Sequence, residues 1–269
     1  MIVDFHSHTS ASDGTLAPDE LLALMRKRNV SLLSITDHDT LRAYDDPSVQ
    51  EYDGAQIVPG IEINTTWQGN DVHILGYGFA LGLSRLADAL ERNRAHRRDR
   101  MEQMIRQLNA AGYPITLEAV LAEAGGGHAL GRPHVAKALI RAGMIPDIDT
   151  AFRKLLARGG AGYVPSHHIT PQEAIDLIAA DGGVPVLAHP GRLKDEALVD
   201  DLAEAGLVGI EVFYPTHEPG QVAMFRAKAV RYGLVMTAGS DFHDPRYNTR
   251  GVGMDVDEED LRPFLDLVA

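Results

Sequence analysis

The chain contains no cysteine among its 269 residues. That absence excludes disulfides, thiolate zinc sites, iron–sulfur clusters and a cysteine nucleophile, so any metal must be held by nitrogen and oxygen. It also lacks an apolar run approaching the roughly 20 residues that span a bilayer. Its start, Met1-Ile2-Val3-Asp4, runs into a strand pattern rather than a signal peptide. A soluble cytoplasmic protein with no membrane partner is expected. An excess of positive charge is missing too. The net charge of −13 argues against stable binding of duplex DNA, which needs a basic surface.

The charge that is present is unevenly placed. Residues 85 to 165 hold 13 Lys/Arg against 8 Asp/Glu, net +5, whereas the remainder holds 12 against 30, net −18. A basic segment able to attract an anionic substrate is set in an acidic body, whose excess bound metal would partly neutralise. With 45% hydrophobic residues, the chain can bury a large core.

Short runs rich in Val, Ile and Leu alternate with helical patterns: Ile2–Phe5, Leu32–Thr36, Gln56–Ile63, Val72–Tyr77, Val184–Ala188, Gly209–Phe213 and Val235–Gly239. Seven such strands fit an α/β barrel. Pro18, Asp19 and Glu20 open the first helix, with Leu21, Leu22, Leu24 and Met25 as its apolar face, and Thr170-Pro171-Gln172-Glu173 opens another. Only eight residues, with Thr65-Thr66-Trp67-Gln68-Gly69-Asn70 among them, separate the apolar run ending at Ile63 from that starting at Val72. That is too short for a crossover helix, so a hairpin is expected there. Between Leu86 and Leu108 the spacing predicts one long helix, after which glycines and prolines cut the chain into short ones. Residues 85–165 therefore read as a small helical lid inserted between 1–84 and 166–269.

Histidine and carboxylate recur where the apolar runs end: His6-Ser7-His8, Asp37-His38-Asp39, Glu62, His73, His189 and Asp241-Phe242-His243. On a strand His6 and His8 share a face, so two imidazoles can reach one ion. Five strand ends carrying such side chains, at His6, His38, Glu62, His189 and Asp241, suit a multi-metal hydrolase, in which nitrogen and oxygen ligands hold divalent cations around an activated water.

Asp4-Phe5-His6-Ser7-His8-Thr9, Ser12-Asp13-Gly14, Ile35-Thr36-Asp37-His38-Asp39, Gly60-Ile61-Glu62, His73-Ile74-Leu75-Gly76, Ala188-His189-Pro190-Gly191-Arg192 and Gly239-Ser240-Asp241-Phe242-His243 resemble the motifs of the polymerase and histidinol phosphatase (PHP) family of metal-dependent phosphoesterases. Within it the chain is most similar to nucleoside 3′,5′-bisphosphate phosphatases and 5′-to-3′ exoribonucleases. The resemblance implies a distorted seven-stranded (β/α) barrel with an inserted helical lid. It also implies two to three divalent metal ions: manganese, with iron and zinc as alternatives. The first would be held by His6, His8, Glu62 and Asp241, the second by Glu62, His73 and His189, and the third by His38 and His243. Asp13 stands where the family often has a further histidine, making the third site weaker or selective for a harder ion. Glu62 is the expected bridge, since a carboxylate has two oxygens to offer.

Asp37 and Asp39 read as partners that orient imidazoles, and Asp4 as a solvated strand residue. Glu211 either lines the site or is structural. Arg92, Arg94, Arg97, Arg98 and Arg100 read as a solvated helix face. His96 reads as surface. Among the isolated histidines His128, His167, His168 and His217, the better candidates for substrate contact are His168 and His217. Arg132, in Gly131-Arg132-Pro133-His134 at the entry to a short helix, resembles a phosphate grip of the lid. Chain connectivity holds Arg192 near the metals. Lys154 is either a further cation for substrate or part of a surface helix.

The expected reaction is hydrolysis of a phosphomonoester on a small nucleotide, the 3′-phosphate of a nucleoside 3′,5′-bisphosphate, by a hydroxide bridging the first two metals. Arg132, Arg192 and His134 would neutralise the phosphoryl oxygens, and His134 or a metal-linked water would protonate the leaving oxygen. The alternatives are 5′-to-3′ trimming of short RNA, histidinol phosphate hydrolysis, and a non-catalytic metal-binding module.

Overall fold

The strands are shared between two sheets. The structure, a computed structural model, describes all residues except 83, 125–129, 166, 167, 194 and 196. In the first sheet, β1 (Ile2–Asp4) lies between β2 (Leu32–Leu33) and β9 (Met254–Asp255), and β3 (Gln56–Ile57) pairs with β2. The second sheet runs β4 (Gly60–Trp67), β5 (Asn70–Tyr77), β6 (Val184–Leu187), β7 (Gly209–Phe213) and β8 (Val235–Ala238) in chain order. Its last three strands are parallel, and the hairpin β4–β5 is antiparallel.

This is a mixed α/β fold, and its sheets do not close into the expected seven-stranded barrel. Both edges of β1 are already taken, by β2 and by the antiparallel β9, over residues 2–4. The segments that follow β1 and β2 reach across through separate contacts. Phe5 N donates to Ala238 O at 2.9 Å, Ser7 bridges Phe242, and His38 bridges Glu62. The seams between the sheets therefore coincide with the histidine-bearing segments. The expected hairpin is longer than its sequence signal, pairing continuously from Gly60↔Tyr77 to Trp67↔Asn70. Gln68 and Gly69 both take positive φ (49° and 75°), the signature of a type I′ turn, whose twist matches that of the strands.

Helices fill the rest: α1 (Pro18–Lys27), α2 (Pro47–Gln50), α3 (Ser84–Ala110), α4 (Leu117–Glu123), α5 (Arg132–Arg141), α6 (Ile148–Ala151), α7 (Pro171–Ala180), α8 (Leu198–Glu204), α9 (Pro219–Tyr232) and α10 (Glu258–Val268). The first turn of α1 carries Pro18, Asp19 and Glu20 as expected, and Leu21, Leu22 and Met25 are buried. At α7 the Thr170 hydroxyl accepts from Glu173 N while Glu173 accepts from Thr170 N, a reciprocal cap. No helix among the described residues is long and apolar enough to cross a membrane.

Helix α3 joins two cores. Its Leu86 and Leu90 pack with Phe5, Ile61, Ile74 and Phe264 beneath the sheets. Its Met101, Met104, Ile105 and Leu108 pack with Val120, Val135, Leu139 and Leu156 in a separate helical cluster. Between these apolar turns lie Asn93 and Arg97, both buried.

Candidate metal centre and substrate cavity

The chain reverses sharply where the two sheets meet, and each reversal carries a ligand-type side chain. His189 (φ 28°), Asp241 (φ 51°) and Asp39 (φ 52°) all occupy the left-handed region, which is costly for a residue with a Cβ and is held only where the surroundings impose it. At the end of β8, Gly239 gives the needed room, because a Cβ there would collide with His6.

Buried carboxylates fix these turns. Asp4, expected to be solvated, is fully buried and accepts from Ser240 N (2.9 Å), Ser240 Oγ (2.7 Å) and Gly253 N (2.8 Å), tying the β1 end to two loops. Asp37 accepts from Thr9 N and Thr9 Oγ1 at 2.8 and 2.6 Å. Asp39 takes Asn64 Nδ2 and Asn93 Nδ2 at 3.0 Å and faces Arg97 Nε at 3.0 Å. It acts on His38 through Asn64, whose amide lies 3.0 Å from His38 Nδ1. Glu211 orients the centre, with Oε1 3.0 Å from His6 Nδ1 and Oε2 accepting from His189 N at 2.7 Å.

All nine expected metal ligands are brought together. His6, His8, Glu62 and Asp241 form one group that could hold an ion. His6 Nε2 and His8 Nε2 lie 3.2–3.4 Å from Glu62 Oε2 and Asp241 Oδ1. The other oxygen of Glu62 faces His73 Nδ1 at 2.8 Å and His189 Nε2 at 3.1 Å. One carboxylate thus has imidazoles on both oxygens. A second group comprises His8, Asp13, His38 and His243, and a third His38, Glu62 and His73. His8 and His38 therefore each stand between two groups, a sharing that the sequence reading did not include.

The donor set fits divalent cations. His6 Nε2, both ring nitrogens of His8 and Glu62 Oε2 are buried without hydrogen-bond partners, an expensive arrangement unless something positive lies among them. Burial works against charge on Glu62, Asp241 and Asp13, yet the surrounding histidines hold all three carboxyls well below the ordinary range. Burial also opposes charge on His8, but Asp241 and Glu62 push its imidazole up to about 10. The protein groups thus demand positive charge here, which metals would supply in place of protons.

A cavity of about 560 Å³ opens over the cluster, within the usual range for small-molecule sites. It is lined from the helical segment by Arg97, Arg100, Arg132 and Lys137, and beside the cluster by Arg192 and Tyr214. Arg192 Nη1 lies 3.0 Å from Asp241 Oδ2, to which Tyr214 also donates at 2.9 Å. Arg132 is held by Asp71 at 2.9 Å and stacks over Phe152 at 5.7 Å. His168 lines the cavity as a neutral base, pushed down to about 2 by burial and by Arg97 and Arg100.

Three expected contacts are not found there. His134 is almost fully buried and off the cavity wall. Its Nδ1 accepts from Gly131 N at 3.1 Å, so it caps the helix that presents Arg132. His217 spends both ring nitrogens on main chain, Nε2 on Gly191 N and Nδ1 on Val212 O. Lys154 is exposed and outside the cavity, and Lys137 of α5 lines it instead. His128 and His167 lie outside the described residues. Arg97 and Arg100, read as solvated, are wall residues, and their signal was available: Asn93 and Arg97 fall on the apolar stripe of α3 at helical spacing.

Nitrogen and oxygen ligands clustered in one cavity that guanidinium and ammonium groups also line divide the work as metal-dependent hydrolases of phosphoric esters do. No protein-family profile matches the chain. It is 36% identical to the 5′-3′ exoribonuclease Rnm of Escherichia coli K12, over 91% of this chain and 86% of that protein. It is 34% identical to the 3′,5′-nucleoside bisphosphate phosphatase of Chromobacterium violaceum, over 97% and 93%. A Bifidobacterium adolescentis protein provisionally assigned as a metal-dependent phosphoesterase superposes with a TM-score of 0.87 at 32% identity, covering 99% and 96% of the two chains. The chain belongs to the PHP family of metal-dependent phosphoesterases.

Proposed function

We propose that the chain removes the 3′-phosphate from a nucleoside 3′,5′-bisphosphate. The observation that carries this reading is that cations from two parts of the chain line one cavity. Arg192 lies 3.0 Å from Asp241 of the ligand cluster, while Arg132, Arg100 and Lys137 line the same cavity from the helical segment, so two seats for anionic groups are available. The first seat would take the phosphate to be cleaved and the second the 5′-phosphate. We take residues 85–165 to act as a lid that supplies the second seat.

His6, His8, Glu62 and Asp241 would hold one cation, Glu62, His73 and His189 a second, and Asp13, His38 and His243 a third, with manganese, iron and zinc suited to such ligands. When bound, these ions supply an activated water near neutral pH and draw charge from the phosphoryl oxygens. Arg192, fixed by Asp241 and Tyr214, orients the phosphoryl group. Arg132, fixed by Asp71 and Phe152, holds the other end of the nucleotide at little cost in side-chain freedom. The water oxygen bonds to phosphorus, the P–O3′ bond breaks, and O3′ takes a proton from solvent. His134 has no part in that transfer, since its Nδ1 is occupied and burial pushes it down to about 4.

Purified protein supplied with manganese is expected to release phosphate from adenosine 3′,5′-bisphosphate. Removing an outer partner of a metal ligand typically costs 10–100-fold, so Glu62→Ala or Asp241→Asn should lower turnover at least about a hundredfold. Turnover unchanged in both variants would refute the mechanism.

A further inference from the structure

The turn that carries His189 and Arg192 is braced by side chains from one neighbouring stretch of chain. Pro190 has no N–H, so the turn offers two main-chain donors ahead of Arg192, and each meets a side chain. His189 N donates to Glu211 Oε2 at 2.7 Å, and Gly191 N donates to His217 Nε2 at 3.1 Å. Resting on the function proposed above, we infer that His217 is a positioning residue, which through Gly191 and Tyr214 aims the guanidinium of Arg192 at the phosphoryl group.

The approach of His217 to the turn needs glycine there. A Cβ on Gly191 would lie 2.7 Å from His217 Cδ2 and 2.8 Å from its Nε2. The tautomer is set by the partners. A carbonyl only accepts, so Val212 O, 2.9 Å from Nδ1, places the proton on that nitrogen and leaves a lone pair on Nε2 for Gly191 N. Burial pushes this imidazole below the ordinary histidine value, although the Val212 carbonyl pulls the other way.

The ring of His217 also supports Tyr214. It packs 5.1 Å from the Tyr214 ring on one side and 5.0 Å from Phe225 of α9 on the other, and Phe225 is fully buried. The hydroxyl of Tyr214 donates to Asp241 Oδ2 at 2.9 Å and accepts from Arg192 Nη1 at 3.3 Å. A free arginine side chain has many rotamers, so its direction rests on where its main chain is held and on what its guanidinium meets. His217 touches both supports, the turn before Arg192 and the phenol beside it. A small displacement of a group that orients the reacting centre is costly to the rate.

Two substitutions separate the Gly191 bond from the packing of the ring. His217→Gln places an amide oxygen within reach of Gly191 N, whereas His217→Asn is one carbon shorter and reaches only toward Val212 O. With metal-loaded protein, kcat/KM for adenosine 3′,5′-bisphosphate should fall about tenfold in His217→Asn and no more than about threefold in His217→Gln, as expected for one orienting hydrogen bond. Added to Arg192→Ala, His217→Asn should cost less than about twofold more, since the residue through which it acts is gone. In calorimetric titration with inorganic phosphate, Kd should be about tenfold weaker in His217→Asn than in His217→Gln, at equal metal content per chain. Equal phosphate affinities in the two variants, metal lost from His217→Asn alone, or a full loss persisting in the Arg192→Ala background would each overturn the assignment. If the bisphosphate is not hydrolysed by the unaltered protein, the proposed function fails, and the phosphate titrations still decide the role of His217.

Discussion

Burial pushes the His134 imidazole down to about 4, against 6.5 for an ordinary histidine. Between those values the unfolded chain binds the proton and the folded chain does not. The contribution of His134 to stability is therefore fully present above pH 6.5 and lost as pH falls toward 4. Gln at the same position keeps an acceptor for Gly131 N. The fall in unfolding free energy between pH 6.5 and 4 is expected to be smaller in His134→Gln by about 3 kcal/mol, measured by urea titration at each pH. Equal falls in the two proteins would mean that the proton is taken up elsewhere. The nine ligand-type residues were legible in the sequence because period-two spacing and strand-end position survive any error in strand boundaries. Substrate contacts were less so. Whether His134 or Lys137 faces the cavity depends on the rotation of one short helix, which no local pattern sets. Lys154, read either as a cation for substrate or as part of a surface helix, takes the second place.

Strand ends govern the next scale. β8 meets the continuation of β1 at Gly239, where a side chain would collide with His6 and crowd Glu211. Gly239→Ala should destabilise the protein by about 1–3 kcal/mol through overpacking and should also displace His6. Metal content per chain, read by elemental analysis, should drop together with Tm. A loss of stability with full metal content would show that the collision is relieved elsewhere. Sequence patterns placed β1, β4–β5, β6, β7 and β8 near their observed positions, because apolar runs and turn residues are local. They did not reveal that β1 has both edges occupied by β2 and β9. Pairing with a two-residue strand some 250 residues away leaves no periodic trace, and that pairing is what keeps the sheets apart. Gln56–Ile63 likewise read as one strand and is divided between β3 and β4 by Val58 and Pro59.

Taken whole, the molecule concentrates Asp13, Glu62 and Asp241 with six histidines in a largely buried cluster at the base of the cavity. Cations bound there stabilise the folded chain over the unfolded one. At a metal concentration a hundred times the Kd, one site contributes about 2.7 kcal/mol. For a chain of this size, stripping the metals with a chelator should lower Tm by roughly 5–10 °C, and manganese should restore it, as followed by differential scanning fluorimetry. A Tm indifferent to chelation would count against a metal-filled cluster. Helix α3 ties the helical segment to this body, since it belongs to one core at Leu86 and Leu90 and to another from Met101 onward. Uninterrupted, its 27 residues make a rod of about 40 Å. Asn93 and Arg97 lie partway along that rod, clamped to Asp39. A change on the outer surfaces of the later helices is therefore expected to leave the ligand cluster in place, whereas a change at Asn93 or Arg97 reaches it through Asp39.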